Sequence, residues 1–150
     1  MFKKFVLIIS LLFLFCGCEK KMNQDDDIER IHLEDKYYNK GDFIKVESND
    51  LKDENYVLFI YNSYCSFSVP CDDIFDSFMK KYDIDFLSMP FDKFKETKYY
   101  GTVKYAPSII IFEKGNIIAY LDAESDEDLN RYQDTTAFEE WMNKYVYFTK

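Results

Sequence analysis

The chain has 150 residues, 47% of them hydrophobic and 31% charged, and a formal charge of −9 from 19 Lys plus Arg against 28 Asp plus Glu. That length supports one domain with a sizeable core, and four glycines and three prolines exclude a collagen-like or Pro/Gly-rich disordered chain. With no basic cluster longer than a pair, this acidity speaks against gripping nucleic-acid phosphates or an anionic membrane surface, and a single histidine leaves little material for a histidine-based zinc centre.

Residues 1–18 read MFKKFVLIISLLFLFCGC: two lysines, then an uncharged, largely apolar run from Phe5 to Cys18. Fourteen residues are too few for an ordinary membrane-spanning helix and fit the hydrophobic region of an export signal. Gly17 precedes Cys18, and the chain turns charged at Glu19, Lys20 and Lys21. This resembles a bacterial lipoprotein signal, which implies cleavage after residue 17, a lipid on Cys18 and anchorage at the extracytoplasmic face of the cell membrane. Cys16 is a second candidate, disfavoured by Phe15 before it. Loss of residues 1–17 would remove Lys3 and Lys4 and no acid, leaving a charge of −11. It would also leave Cys65 and Cys71 as the domain's thiols, too few for a disulfide scaffold.

Residues 18–42 read as a polar tether and 43–150 as the domain. The Asp25–Asp27 run lacks the spaced ligands and central glycine of a calcium loop, and His32 reads as an ordinary surface or half-packed histidine. FIKV at 43–46 is a short edge strand. YVLFIYN at 56–62, dense in β-branched and aromatic residues, is a central strand covered on both faces. From Cys71 the period changes to about 3.6, with Ile74, Phe75, Phe78, Met79 and Tyr82 on one stripe, acids early and lysines late: an amphipathic helix. IDFLSMPF at 84–91 is a second central strand, and DKFKETKYYG a short helix ending near Gly101, with Asp92 as a surface cap.

SIIIF at 108–112 and IIAYL at 117–121, joined by a turn containing Gly115, form an antiparallel hairpin. Residues 125–133 are either a short helix or an acidic loop. Thr136 followed by Glu139 has the form of a capping box, opening a helix with Phe138, Trp141, Met142 and Tyr145 on its apolar face. This order predicts an α/β fold, a mixed sheet with helices on both faces.

Three features in this order give a resemblance to the thioredoxin-like family: YNSYCSFS at 61–68 after a central strand, YAP at 105–107 before the SIIIF strand, and the terminal hairpin followed by a helix. The resemblance spans about 43–147. It implies a thioredoxin-like mixed sheet with flanking helices, Cys65 as the nucleophile at a helix start, Tyr64 as the aromatic residue before it, and Ala106 with a cis Pro107 facing the cysteine across a substrate-binding site. A looser resemblance is to small extracytoplasmic thioredoxin-like proteins, including accessory proteins of bacteriocin transport. The chain departs from the usual Cys-x-x-Cys: Ser68 stands at the second position and the next cysteine is Cys71. In one register Cys65 and Ser68 match the family pair and Cys71 is a semi-buried thiol within the helix. In the other the loop is longer, Pro70 takes the first helical position and Cys71 faces back toward Cys65, as a redox pair or a structural bridge.

Ser68 can donate a hydrogen bond to a Cys65 thiolate but cannot resolve a mixed disulfide. Asp72, Asp73 and Asp76 oppose a low thiolate pKa. What the resemblance implies is thiol-disulfide exchange on a thiol- or disulfide-bearing protein, without cofactor, metal or nucleic acid. A non-catalytic binding or accessory module using the same surface is the alternative, since one fold serves both uses.

Overall fold

The computed structural model describes residues 29–62 and 70–150. Within them the chain runs β1 (Phe43–Lys45), β2 (Tyr56–Tyr61), α1 (Cys71–Tyr82), β3 (Phe86–Pro90), α2 (Phe91–Phe94), β4 (Ser108–Glu113), β5 (Asn116–Tyr120) and α3 (Thr135–Met142). The strands form one mixed sheet in the order β1-β3-β2-β4-β5. β1 and β2 flank β3 in parallel, and β4 runs antiparallel to both β2 and β5. The expected α/β mixed sheet is present, with the FIKV strand at one edge and the hairpin's second strand at the other.

Alternation along β2 assigns the two faces, because Tyr56 and Phe59 are an odd number of residues apart. Phe59 meets Phe75 of α1 at 5.3 Å between ring centroids, and Phe75 and Phe78 meet Phe138 of α3 at 4.8 and 5.2 Å. α1 and α3 thus share one face. On the other, Tyr56 stacks on Phe112, which Tyr99 meets edge-on at 4.8 Å, and α2 packs against β2 and β3. Tyr56 to Ile60 are all buried, as a strand covered on both faces requires. Each large apolar side chain so enclosed contributes about 1.5–3 kcal/mol.

Local chemistry sets the boundaries. Lys114 and Gly115 both adopt positive φ, 47° and 74°, the two-residue turn whose twist suits a hairpin. α1 carries Asp72 and Asp73 in its first turn and Lys80 and Lys81 in its last, and ends on Asp83 in the left-handed conformation. DKFKETKYYG is not one helix: α2 stops at Phe94, Thr97 accepts from the Tyr99 amide, and a separate 3-10 turn covers Lys98–Gly101. Residues 125–133 resolve into turns followed by a 3-10 turn, Leu129–Tyr132.

Two expectations need correction. Thr136 does not cap α3: Asp134 is the N-cap, its Oδ1 accepting from the Ala137 amide at 2.7 Å, so Thr136 lies inside the first turn. Glu139 is instead engaged by Lys81 and Tyr82 of α1. The packed body also begins before Phe43, because Ile31, Leu33 and Tyr37 are buried in the core. Ile31 bridges in parallel to Val146, and Tyr38 bridges antiparallel to Ile84. The export segment, with Cys16 and Cys18, and the start of the tether lie outside the described residues.

Candidate functional site

Pairing of Ile60 with Ser108 places the residues before β4 beside the carboxyl end of β2. There the Ala106-Pro107 peptide is cis, Pro107 is buried, Ala106 is half-buried and Tyr105 is 48% exposed. α1 begins at Cys71, 2% exposed, immediately after Pro70 as N-cap. Tyr64, Cys65 and Ser68 fall outside the described residues, in the segment bounded by Asn62 at the end of β2 and Pro70 at the start of α1. Of the expected site residues, the structure therefore brings Cys71, Ala106 and Pro107 to one end of the sheet.

Pro70 is the N-cap of α1, one position before the place expected for it in the longer-loop register, and Cys71 is the first helical residue, in the first turn and 2% exposed. Asp72 and Asp73 follow it on the exposed side. The feature that separates the two registers, the relation of Cys71 to Cys65 and Ser68, lies outside the described residues.

Tyr132 joins these pieces, and the sequence reading did not find it. It is 0% exposed, and its hydroxyl lies 2.8 Å from the Pro107 carbonyl oxygen and 2.9 Å from that of Leu121. Ser108 Oγ also donates to the Leu121 carbonyl, at 2.5 Å. Burial raises the phenol's pKa, and the nearby Asp128, Cys71 and Asp122 raise it further, so Tyr132 stays protonated and able to donate. Asp128 in turn accepts from the Asp122 amide at 2.8 Å and pairs with Arg131, which fixes the acidic connection after β5. The one signal was weak, a lone aromatic residue in DAESDEDLNRYQD, where the neighbouring Leu129 is exposed, so nothing local marks Tyr132 as the buried one.

Among the described residues no group of three or more His, Cys, Asp or Glu side chains is placed to hold a metal ion. His32 is exposed, stacked on Tyr147 at 4.4 Å, with Nδ1 3.1 Å from the Thr149 carbonyl oxygen. Asp92 sits in the first turn of α2, paired with Lys95, and does not cap it. A cleft along β5, lined by Lys98, Tyr99, Ile117, Ala119, Tyr120 and Tyr145, contains none of the expected site residues.

No protein-family model matches the chain, and no curated protein matches it in sequence. Solved structures do match. A variant of thioredoxin from Halobacterium salinarum superposes with a TM-score of 0.50 at 14% identity, covering 71% of this chain and 93% of that one. Schistosoma mansoni thioredoxin gives 0.48 at 18% identity, covering 72% and 99%, and spinach chloroplast thioredoxin F gives 0.45 at 16%, covering 71% and 97%. The strand order, the helices on both faces and the superposition on the Halobacterium protein together show that this chain has the thioredoxin-like fold.

Proposed function

We propose that the chain is a membrane-anchored, extracytoplasmic thiol-disulfide exchange protein with Cys65 as its nucleophile and a lipid on Cys18. The observation that supports the exchange part of this reading is the placement of the Pro107 loop level with the end of β2 and of Cys71 at the start of α1, while the anchor rests on the sequence of residues 1–18 alone. Cys65 lies in the sequence between the end of β2 and the start of α1, in residues outside those described. The structural neighbours are thioredoxins, and the order of YNSYCSFS, YAP and hairpin supports the same reading.

The chemistry balances without a cofactor. The Cys65 thiolate attacks one sulfur of a partner disulfide, and the other partner sulfur leaves as a thiolate and takes up a proton. A second thiol, Cys71 or one supplied from outside, loses its proton and attacks the Cys65 sulfur of the mixed disulfide, releasing the partner's remaining sulfur. With Cys71, two electrons pass to the partner and a Cys65-Cys71 disulfide forms; the reverse sequence oxidises the partner. Burial of Cys71 restricts it to a neighbouring sulfur and shields it from solvent thiols. Tyr64 and Ala106 would contact the partner beside Pro107, and Ser68 would hydrogen-bond the thiolate.

One observation favours a second reading. Asp72 and Asp73 are exposed in the first turn of α1 and oppose a stabilised thiolate there. A binding or accessory module would use the same surface to hold an extended partner segment without exchange, in keeping with the looser resemblance to transport accessory proteins.

Labelling rates of the two cysteines across pH, with non-reducing peptide mass mapping, test the choice. Exchange predicts that Cys65 labels faster than Cys71 and that replacing Cys65 abolishes reaction with a disulfide peptide. Absence of reaction at either thiol in the native protein would overturn it in favour of the binding module. Mass analysis of the mature protein tests the anchor: a lipid lost in Cys18→Ala supports it, and an intact, unlipidated apolar segment refutes it.

A further inference from the structure

Thiol exchange on an extended partner requires the Pro107 loop to stand at a fixed height beside the start of α1. Tyr132 meets both structures. Its ring is edge-on to Phe75, 6.1 Å between centroids at 62°, and Phe75 lies four residues after Cys71 on the same side of α1. Its hydroxyl has one proton and two carbonyls within reach, those of Pro107 and Leu121. Ser108 Oγ donates to the Leu121 carbonyl and also hydrogen-bonds the phenol, so Leu121 is already served by a second hydroxyl, whereas the phenol is the donor that reaches Pro107. Burial first, then Asp128 and Asp122 from the connection after β5 and Cys71 from α1, favour the phenol's neutral, donating form, against a smaller opposing effect of the hydrogen bond with Ser108.

We propose that Tyr132 is a positioning residue of the exchange site, its hydroxyl holding the Pro107 carbonyl while its ring is seated on the helix that begins at Cys71. This rests on the exchange function proposed above. Tyr132→Phe keeps the ring and deprives the Pro107 carbonyl of its donor, so the loop relaxes and a partner segment docks out of line. Small misplacements of reacting groups cost about tenfold to a hundredfold in rate.

The test measures two rates on the same protein: exchange with a disulfide-bonded peptide, which docks beside Pro107, and alkylation of Cys65 by iodoacetamide, which needs no docking. Tyr132→Phe is expected to remain folded by circular dichroism, to lose at least about tenfold in the exchange rate and to keep the alkylation rate. Equal exchange in wild type and Tyr132→Phe overturns the positioning role while leaving the exchange function standing. A parallel fall in both rates overturns it too, since that is loss of structure. Wild-type protein inert toward the peptide refutes the exchange function itself, and the positioning role with it. Should Tyr132→Phe fail to fold, Ser108→Ala decides: it removes the hydroxyl that bonds the phenol and the Leu121 carbonyl, so the phenol is drawn toward Leu121 and away from Pro107, exchange should fall relative to alkylation, and an unchanged ratio refutes the proposal.

Discussion

A carboxylate with 2% of its surface exposed persists in a core only when its oxygens are occupied, and Asp85 achieves this with a loop that precedes it by more than forty residues. Its Oδ1 accepts from the amides of Lys40, Gly41 and Asp42 at 3.2, 2.9 and 2.9 Å, and its Oδ2 from Asn39 Nδ2 at 3.1 Å. Gly41 makes the loop possible, because φ is +77° and a Cβ there would stand 2.5 Å from the Met79 carbonyl oxygen. Asp85→Ala leaves several backbone donors facing a site with no acceptor and is expected to cost about 3 kcal/mol. Asp85→Asn, which keeps one oxygen, should cost less. Urea unfolding of both variants measures this, and a change below about 0.5 kcal/mol for Asp85→Ala would show that water replaces the carboxylate. Nothing local in IDFLSMPF distinguishes Asp85 from a bounding surface charge. Its burial depends on remote partners, just as that of Tyr132 depends on Pro107 and Leu121, and such residues are the least legible in a sequence.

Elements were more legible, because their signal is contained in their own residues. Ile74, Phe75, Phe78 and Met79 are all buried in α1, and the apolar runs at 56–62 and 108–112 became adjacent strands at the centre of the sheet. The start of α3 was less so: Asp134 and Thr136 are both residue types that cap helices, and Asp134 takes the position, leaving Glu139 free of a capping box. Glu139 accepts from Lys81 Nζ at 2.7 Å and from the Tyr82 hydroxyl, tying α3 to the last turn of α1. These bonds, that from Lys81 first, hold its carboxyl below the usual range. The folded state therefore ionises Glu139 at lower pH than the unfolded state does. The resulting stability is complete above the unfolded pKa and is lost as pH falls through the folded value. Glu139→Gln should lower the melting temperature by no more than a few degrees at neutral pH, because the pair is partly solvated. The gap to wild type should close on acidification below pH ~4. A gap that stays constant from neutral to acid pH would assign the effect to packing instead.

At the scale of the whole molecule, the mixed sheet with helices on both faces followed from the order of elements and the meeting of β2, α1 and the Pro107 loop from the family resemblance, while the strand order and the start of the folded body did not. Residues 29–42 read as polar tether because Ile31, Leu33, Tyr37 and Tyr38 are too few, and too irregularly spaced, to mark an element. Their role comes from the far end of the chain. Ile31 donates to Tyr145 O at 2.8 Å and accepts from the Tyr147 amide at 2.9 Å, and the Tyr38 hydroxyl donates to Tyr147 O at 2.7 Å. The same stretch supplies the donors that hold Asp85. Burial of Ile31, Leu33 and Tyr37 contributes about 2 kcal/mol apiece, so together they amount to about 6 kcal/mol, comparable with the whole stability of an ordinary domain at about 5–15 kcal/mol. A chain beginning at Phe43 should therefore fail to melt cooperatively, and one beginning at Glu29 should melt as the full chain does. Ile31→Ala in the full chain should cost about 2–4 kcal/mol without altering the fold. Scanning calorimetry of the three proteins decides the matter: a cooperative transition at the full-chain temperature in the chain beginning at Phe43 would show that the stretch before β1 merely lies against a body complete without it.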